Sequence, residues 1–283
     1  MSATVAARPR PLGPDALAWD LIGDWRVLLL AGRALALQVG HPVIAGGVDR
    51  QSVFLTDPWG RLFRSLRALL TYFYGGEEAA REAASVRTMH DQIRGIDWAG
   101  RAYEAWDPEA YFFVHASTFE TLVVQCEHFG RPLTAAETAR LYEEFRQVGL
   151  LLGIAEDHMP ATLDDFWRWY ERILEGRLED NHVVHQVLDR LADIPPPRWW
   201  RLPRWAWRPI VWMPGRVLRV ATIGTLPPML RARWGLQWTR RDARALRRLS
   251  VAVRAVGAVT PARVRFMPIA AGARRAATRA TGN

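Results

Sequence analysis

The chain contains no lysine: all 38 of its basic residues are arginine. No lysine can therefore act as a base or as the amine of a Schiff base. Cysteine occurs once, as Cys126, so no internal disulfide can form, and a reducing, cytoplasmic compartment is expected. No uninterrupted apolar run reaches the roughly 18 residues of a membrane-spanning helix. The N-terminal MSATVAARPRPLGPD lacks the apolar core of a signal peptide and reads as a disordered leader over residues 1–15. A phosphate-cradling glycine loop, a CxxC pair and a nucleophile elbow are also missing. No run shows the alternation of a strand, and no segment repeats.

Acids are almost absent from one end. Residues 1–195 carry 19 arginines against 28 carboxylates, a charge of −9, whereas residues 196–283 carry 19 arginines against Asp242 alone, a charge of +18. Such a tail calls for an anionic partner: membrane headgroups, nucleic acid, or the acidic body of the protein itself. Its stretch RWWRLPRWAWRPIVWMPGRVLRV interleaves tryptophan, arginine and proline. That mixture suits a membrane interface, with rings at headgroup depth and guanidinium groups on phosphates, so peripheral membrane contact through this arm is expected. Base stacking would use the same residue types, but no recognisable nucleic-acid-binding motif is present and no nucleic-acid partner is expected.

The remaining pattern is helical, and the class expected is all-α. Asp15 is placed to cap a helix over Ala16–Ile22, and Asp24 the next, WRVLLLAGRALALQV, whose all-round apolarity marks it as central. Gly40-His41-Pro42 stops it. Residues 43–56 contain Gly46-Gly47 and read as a turn with a short helix. Pro58 stands near the start of a helix through Tyr74, ended by Gly75-Gly76. Glu77–Arg94 reads as the next helix, acidic in its first turn and followed by Gly95. Asp107-Pro108 opens a helix to Phe129, Thr134 with Glu137 forms a capping box for a helix to Leu152, and Thr162 opens another in looser form. A further helix is expected over Asn181–Ala192. Pro195-Pro196-Pro197 is the best boundary, followed by two short basic helices near 227–234 and 239–256. The divisions are thus a leader (1–15), a helical domain (16–195), a basic helical arm packed on it (196–265) and a flexible tail (266–283).

Two helical faces could carry chemistry. His90 shares the Glu77–Arg94 face with Arg87 and Arg94 by i−3 and i+4 spacing. A neutral imidazole is an axial haem ligand and arginines pair with propionates, although a partly buried histidine bonded to a neighbour gives the same spacing. Ala79, Ala80, Ala83 and Ala84 make that helix slim enough for a flat ligand or a second helix. On the preceding helix Arg61, Arg64 and Ser65 lie at i, i+3 and i+4 and could hold a carboxylate, an oxygen species or a propionate, or form a solvated face. His41 beside Pro42 can bond helix-end carbonyls, His115 reads as a satisfied core histidine, and His182 with His185 has metal-compatible spacing without a specified third ligand. Cys126 reads as buried and inert.

In order along the chain, LLLAGRALALQVGHPVIAGGV, SVFLTDPWGRLFRS, MHDQIRG, YEAWDPEAYFFVHAS, RPLTAAETARLYEE and TLPPMLRARWGLQW resemble the uncharacterised-domain family 2236. That family includes the latex-clearing rubber oxygenases and the fungal mpaB-type oxygenases, and the resemblance covers about residues 17–265. It implies a globin-like helical bundle that binds haem b, with His90 as proximal ligand to the iron. It implies a catalytic distal group of Arg61, Arg64 and Ser65, with Arg61, Arg87 and Arg94 available to the cofactor. The rubber oxygenases carry lysine and threonine where this chain has Arg64 and Ser65, and arginine, which stays protonated, is a poor iron ligand. A His-Ser pair of the family reads Gln51-Ser52 here. The implied activity is oxidation of a small hydrophobic organic substrate by dioxygen or peroxide, in a pocket lined by some of the 14 tryptophans and other aromatics. A haem-free, membrane-associated scaffold working through the basic arm is the contrasting expectation.

Overall fold

The computed structural model describes residues 10–51 and 57–281; most of the expected leader, and Ser52 of the Gln51-Ser52 pair, lie outside them. The protein is mostly helical and forms one domain. Helix α1 (Leu17–Leu21) leads through Asp24, whose carboxylate accepts from the Arg26 amide at 2.9 Å, into a 3-10 segment (Trp25–Leu30). Helices α2 (Ala31–Gly40) and α3 (Pro42–Gln51) follow, broken at His41. The expected cap at Asp24 is present, but the helix behind it starts as a tighter 3-10 turn and becomes α only at Ala31. Gly32 explains the continuation: a Cβ there would lie 2.6 Å from the Thr222 hydroxyl and 2.7 Å from Leu191, so α2 can approach its neighbours this closely only through glycine.

Asp57 caps α4 (Pro58–Tyr74) by accepting from the Gly60 amide at 3.1 Å, with Pro58 in the first turn. Helix α5 (Glu77–His90) follows after Gly76, whose φ of 53° only glycine adopts easily. The expected extension of α5 to Arg94 does not occur. Arg94–Ile96 is instead strand β1, paired antiparallel with β2 (Ala102–Glu104), with Gly95 opposite Tyr103. The reason is turn chemistry: the Asp97 carboxylate accepts from the amides of Ala99 and Arg101, both at 2.8 Å, and Gly100 has φ 79°. This hairpin is the exception to an otherwise helical fold.

Asp107 caps α6 (Pro108–Phe129), and the Thr134–Glu137 capping box opens α7 (Ala135–Leu152). Helix α8 (Leu163–Gly176) starts at Thr162 and buries Phe166, Tyr170, Ile173 and Leu174, the i, i+4, i+7 and i+8 stripe of an amphipathic helix. Asn181 caps α9 (His182–Ala192) through the amides of Val183 and Val184.

The largest departure from sequence expectation comes next. Residues Arg204–Thr225 form α10, a helix of 22 residues containing Pro209 and Pro214. Both prolines are exposed, while Val211, Gly215, Ala221, Thr222 and Ile223 form the packed face of the helix against the rest of the fold. Tertiary packing of that face outweighs the loss of two backbone donors. Helices α11 (Pro228–Arg233), α12 (Arg240–Val259), α13 (Ala262–Arg265) and α14 (Pro268–Thr281) complete the fold. The stretch expected to be a flexible tail is helical, because Met267 and Ala270 are buried in the core and the Met267 amide donates to the Gly23 carbonyl at 2.8 Å.

The main core draws on Leu12 at one end and Ala271 at the other, so it runs across the Pro195–Pro197 break. Its densest part is aromatic: Phe113, Phe119, Phe145 and Phe166 are all fully buried. Among the described residues no single helix is long and apolar enough to cross a membrane. The segments Trp25–Gly40 and Pro42–Arg50 have the combined length and composition, but they meet at 105°.

His115 lies in this core, with Nε2 donating to the Phe145 carbonyl at 2.7 Å, as a satisfied core histidine should. Burial pushes its pKa down to about 4. The folded ring therefore stays neutral while the unfolded ring protonates near its ordinary value. Stability is complete above pH ~6.5 and falls as pH drops toward ~4, by about 3 kcal/mol from this group. Urea unfolding at pH 7 and at pH 4.5 is expected to show a smaller acid loss in His115→Gln than in the parent; equal losses would show that the ring titrates alike in both states.

Candidate functional site

Helices α4 and α5 form an antiparallel pair closed by Gly75-Gly76, and Arg67 bridges it to Glu82 at 3.1 Å. Arg61 lies fourteen residues before Gly75 and His90 fourteen after Gly76. At 1.5 Å rise per residue both stand about 21 Å from the turn. The two candidate groups thus stand at a similar distance from the turn on successive helices.

His90 closes α5. Its Nδ1 lies 2.9 Å from the Val86 carbonyl, one turn back. A carbonyl can only accept, so Nδ1 carries the proton and the Nε2 lone pair is left for a ligand. Trp106 and Tyr111 meet the ring edge-on at centroid distances of 6.1 and 5.8 Å. Trp106 is anchored by Asp91 at 2.9 Å and Tyr111 by the Leu152 carbonyl at 3.2 Å. Burial lowers the His90 pKa, against the smaller opposing effect of the Val86 bond, so the ring is neutral at pH 7. The aromatic pair was not singled out in the sequence; YEAWDPEAY, the stretch that carries it, is the signal that could have found it.

The other candidates divide. The Arg61 guanidinium is half-buried; burial first, and the neighbouring Arg64 second, lower its pKa, and it stays cationic. Arg64 is exposed and reaches Asp57 at 3.5 Å, and the Ser65 side chain is exposed. Arg87 turns to the end of α7, donating to the Leu151 carbonyl at 3.4 Å and packing beside Gly153. Arg94 is on β1 opposite Glu104, so it does not share a helical face with His90. Of the four alanines, Ala79 and Ala83 are buried under neighbouring elements, so the slim part of α5 serves helix packing. Leu62, Phe63 and Met89 are exposed on α4 and α5, Phe63 at 62% and Met89 at 58%.

Elsewhere, His41 is buried and bonds no carbonyl through its ring; its nearest acid is Glu109, 3.5 Å from Nε2, and Glu109 is held at 2.6 Å by Arg177. His182 pairs with Asp49 at 2.9 Å and His185 with Asp180 at 2.6 Å, so the two rings engage different carboxylates. The free Cys126 is buried, which pushes its thiol up to about 11. A cleft of about 770 Å³ between α7 and α8, lined by Arg146, His158, Arg168, Trp169 and Arg172 among others, contains neither His90 nor Arg61.

Residues 19–255 match the family described as ER-bound oxygenase mpaB/B'/rubber oxygenase, catalytic domain. The chain belongs to this mpaB/rubber oxygenase family. The match takes in α4, α5 and the hairpin, and passes through the proline break into α12. Two relatives, uncharacterized proteins of Mycobacterium bovis and Mycobacterium tuberculosis, are each 25% identical over 241 residues, covering 83% of this chain and 91% of theirs. No solved structure gives a significant match. Membership in the mpaB/rubber oxygenase family implies oxygenase activity, hence an oxidoreductase that combines dioxygen with an organic substrate.

Proposed function

We propose that this member of the mpaB/rubber oxygenase family is a haem-b-dependent oxygenase of the globin-like helical kind, acting on a small hydrophobic organic substrate, with His90 as the axial ligand to iron. The observation that carries this is the tautomer of His90: a neutral ring whose Nδ1–H is tied to Val86 and whose Nε2 is the lone-pair nitrogen. A carbonyl partner on one ring nitrogen is what orients a ligating histidine and raises the basicity of the other. The donor chemistry therefore fits an axial haem ligand.

Haem held there supplies the redox-active iron for reaction with dioxygen or peroxide. Everything else falls to the protein's own groups. The Val86 bond and the edges of Trp106 and Tyr111 fix the plane of the imidazole and keep water from one side of it. Arg61, always cationic and half out of water, is the first choice for a propionate or for negative charge that develops on oxygen. Arg64 and Ser65 add a second cation and a hydroxyl donor one turn along. Arg87 can serve a propionate only by releasing Leu151, and Arg94 only from the hairpin. The exposed Leu62, Phe63 and Met89 offer an apolar surface for the substrate.

Absorption spectra of the protein produced with added haem test the assignment. The parent is expected to show a Soret band, and His90→Ala to lose it while keeping its helical circular dichroism. A folded parent with no Soret band would sink the haem reading; a variant with an unchanged band would remove His90 as ligand.

A further inference from the structure

The basic C-terminal arm is not neutralised by the body on which it packs. Of its arginines, Arg198, Arg204 and Arg265 reach carboxylates of the body at 3.9, 3.8 and 3.3 Å, and Arg274 beyond it reaches Asp20 at 2.7 Å. Arg231 and Arg233 are spent on backbone carbonyls. Arg201, Arg208, Arg216, Arg247 and Arg248 form no ion pair among the described residues. The single acid of the arm, Asp242, closes the capping box with Thr239, accepting from that amide at 2.9 Å; the Thr239 bonds first, and Arg219 and Arg216 after them, lower its pKa, but neither arginine reaches it as an ion pair among the described residues.

Apolar groups stand among these charges. Trp205 and Trp212 are seven residues apart on α10 and therefore share one face, which Arg208 and Arg216 also occupy. Trp205 is 74% exposed and Trp212 58%, and Arg216 lies 5.3 Å from the centre of the Trp212 ring. Just upstream, Trp199 and Leu202 are also exposed, at 71% and 60%. Val211, Gly215 and Ala221 are buried and hold α10 in the fold. A helix so fixed cannot enter a bilayer lengthwise, but it can lie in the headgroup plane with its rings at the apolar boundary.

We propose that the outer face of α10, with the Trp199–Leu202 approach to it, is a docking surface for anionic phospholipid membranes. Guanidinium groups take the lipid phosphates, and Trp199, Trp205 and Trp212 take the interfacial depth. A second copy of the chain is a poor occupant, since the symmetric pairing of this face would bring its unpaired arginines together. Nucleic acid suits the charge, but the rings sit on a convex helix surface with Leu202 and Met213 exposed beside them, not along a groove that tracks a strand.

The Trp199–Leu202 approach adjoins the start of α4: Trp59 Nε1 donates to the Pro195 carbonyl at 2.8 Å, and Arg198 reaches Asp57, the cap of α4, at 3.9 Å. A docked bilayer would therefore lie on the side where Arg61 and Phe63 begin the candidate site, and could supply an apolar substrate there. That consequence rests on the haem reading; the docking does not, and vesicle binding is measured without cofactor.

Co-sedimentation of the full chain with phosphatidylcholine vesicles, with and without phosphatidylserine, tests the surface. Binding is expected only with phosphatidylserine, weakening in high salt and accompanied by a blue shift of tryptophan emission. Each arginine removed should weaken binding about fivefold, so Arg208→Gln/Arg216→Gln should lose about 25-fold. Trp205→Ser/Trp212→Ser should lose the blue shift. Arg81→Gln/Arg172→Gln, equal in charge change but on α5 and α8, should bind nearly as the parent does. Failure of the parent to bind, equal loss in both arginine variants, or binding to an oligonucleotide without binding to vesicles would overturn the proposal.

Discussion

Arg33→Met is expected to cost about 3–5 kcal/mol of folding stability. Arg33 is fully buried, with Nη1 and Nη2 donating to the two oxygens of Glu120 at 2.5 and 2.6 Å. Its Nε donates to the Thr225 carbonyl at 3.0 Å, and the Tyr170 hydroxyl stands 3.4 Å from Glu120. The Arg33–Glu120 pair thus joins α2, α6, α8 and α10. Methionine fills much of the volume but strands a carboxylate in the aromatic core, and that uncompensated charge is the source of the cost. Arg33→Met/Glu120→Leu removes both charges and should recover most of the loss. Urea unfolding followed by circular dichroism decides the matter: a single variant with the parent's midpoint would mean the pair carries no weight.

The second large effect is expected at Trp234→Ala, also about 3–5 kcal/mol. Trp234 is the largest fully buried side chain among the described residues. Its Nε1 donates to the Glu179 carbonyl at 3.0 Å, and its Cζ2 would sit only 3.0 Å from a Cβ on Gly40. The preceding Arg233 binds the carbonyls of Leu174 and Leu178 at the end of α8. Residues on both sides of the proline break therefore share this contact. Trp234→Phe keeps the ring but leaves the Glu179 carbonyl without its donor, and should cost about 1–2 kcal/mol. Thermal melts of the two variants check both values; a Trp234→Ala protein that melts like the parent would mean the C-terminal helices unfold on their own.

What the sequence disclosed follows the range of the interactions. Helix starts at Asp57, Asp107 and Thr134 were legible because a cap lies within three residues of the amides it serves. The end of α5 was misplaced because Gly95 fits a helix terminus as well as it fits a strand, and only pairing with Tyr103 selects the strand. Helix α10 was hidden by Pro209 and Pro214, whose local penalty is overcome by a buried face that no local rule reveals. The Arg33–Glu120 pair spans 87 positions and left one trace, an arginine in an otherwise apolar helix. At the candidate site, His90 and Arg61 stood out through family motifs, whereas the bond to Val86 and the enclosing Trp106 and Tyr111 required coordinates.

The two ends of the described chain are stitched to each other. The Met267 amide bonds Gly23, Phe266 bridges Asp24, and Arg274 reaches both Asp20 and the Trp19 carbonyl. Tyr74 from α4 closes the same pocket through its bond to Trp19 at 2.6 Å. One wall of α1 is thus made by residues some 250 positions later. Helix α1 is also held by nearer elements, the Leu17 and Ala18 amides donating to Glu144 of α7 and Trp19 Nε1 to the Phe73 carbonyl of α4. Contacts of that sequence separation carry the largest loop-closure cost in the fold, and the seam between α1 and α14 is expected to form late in folding.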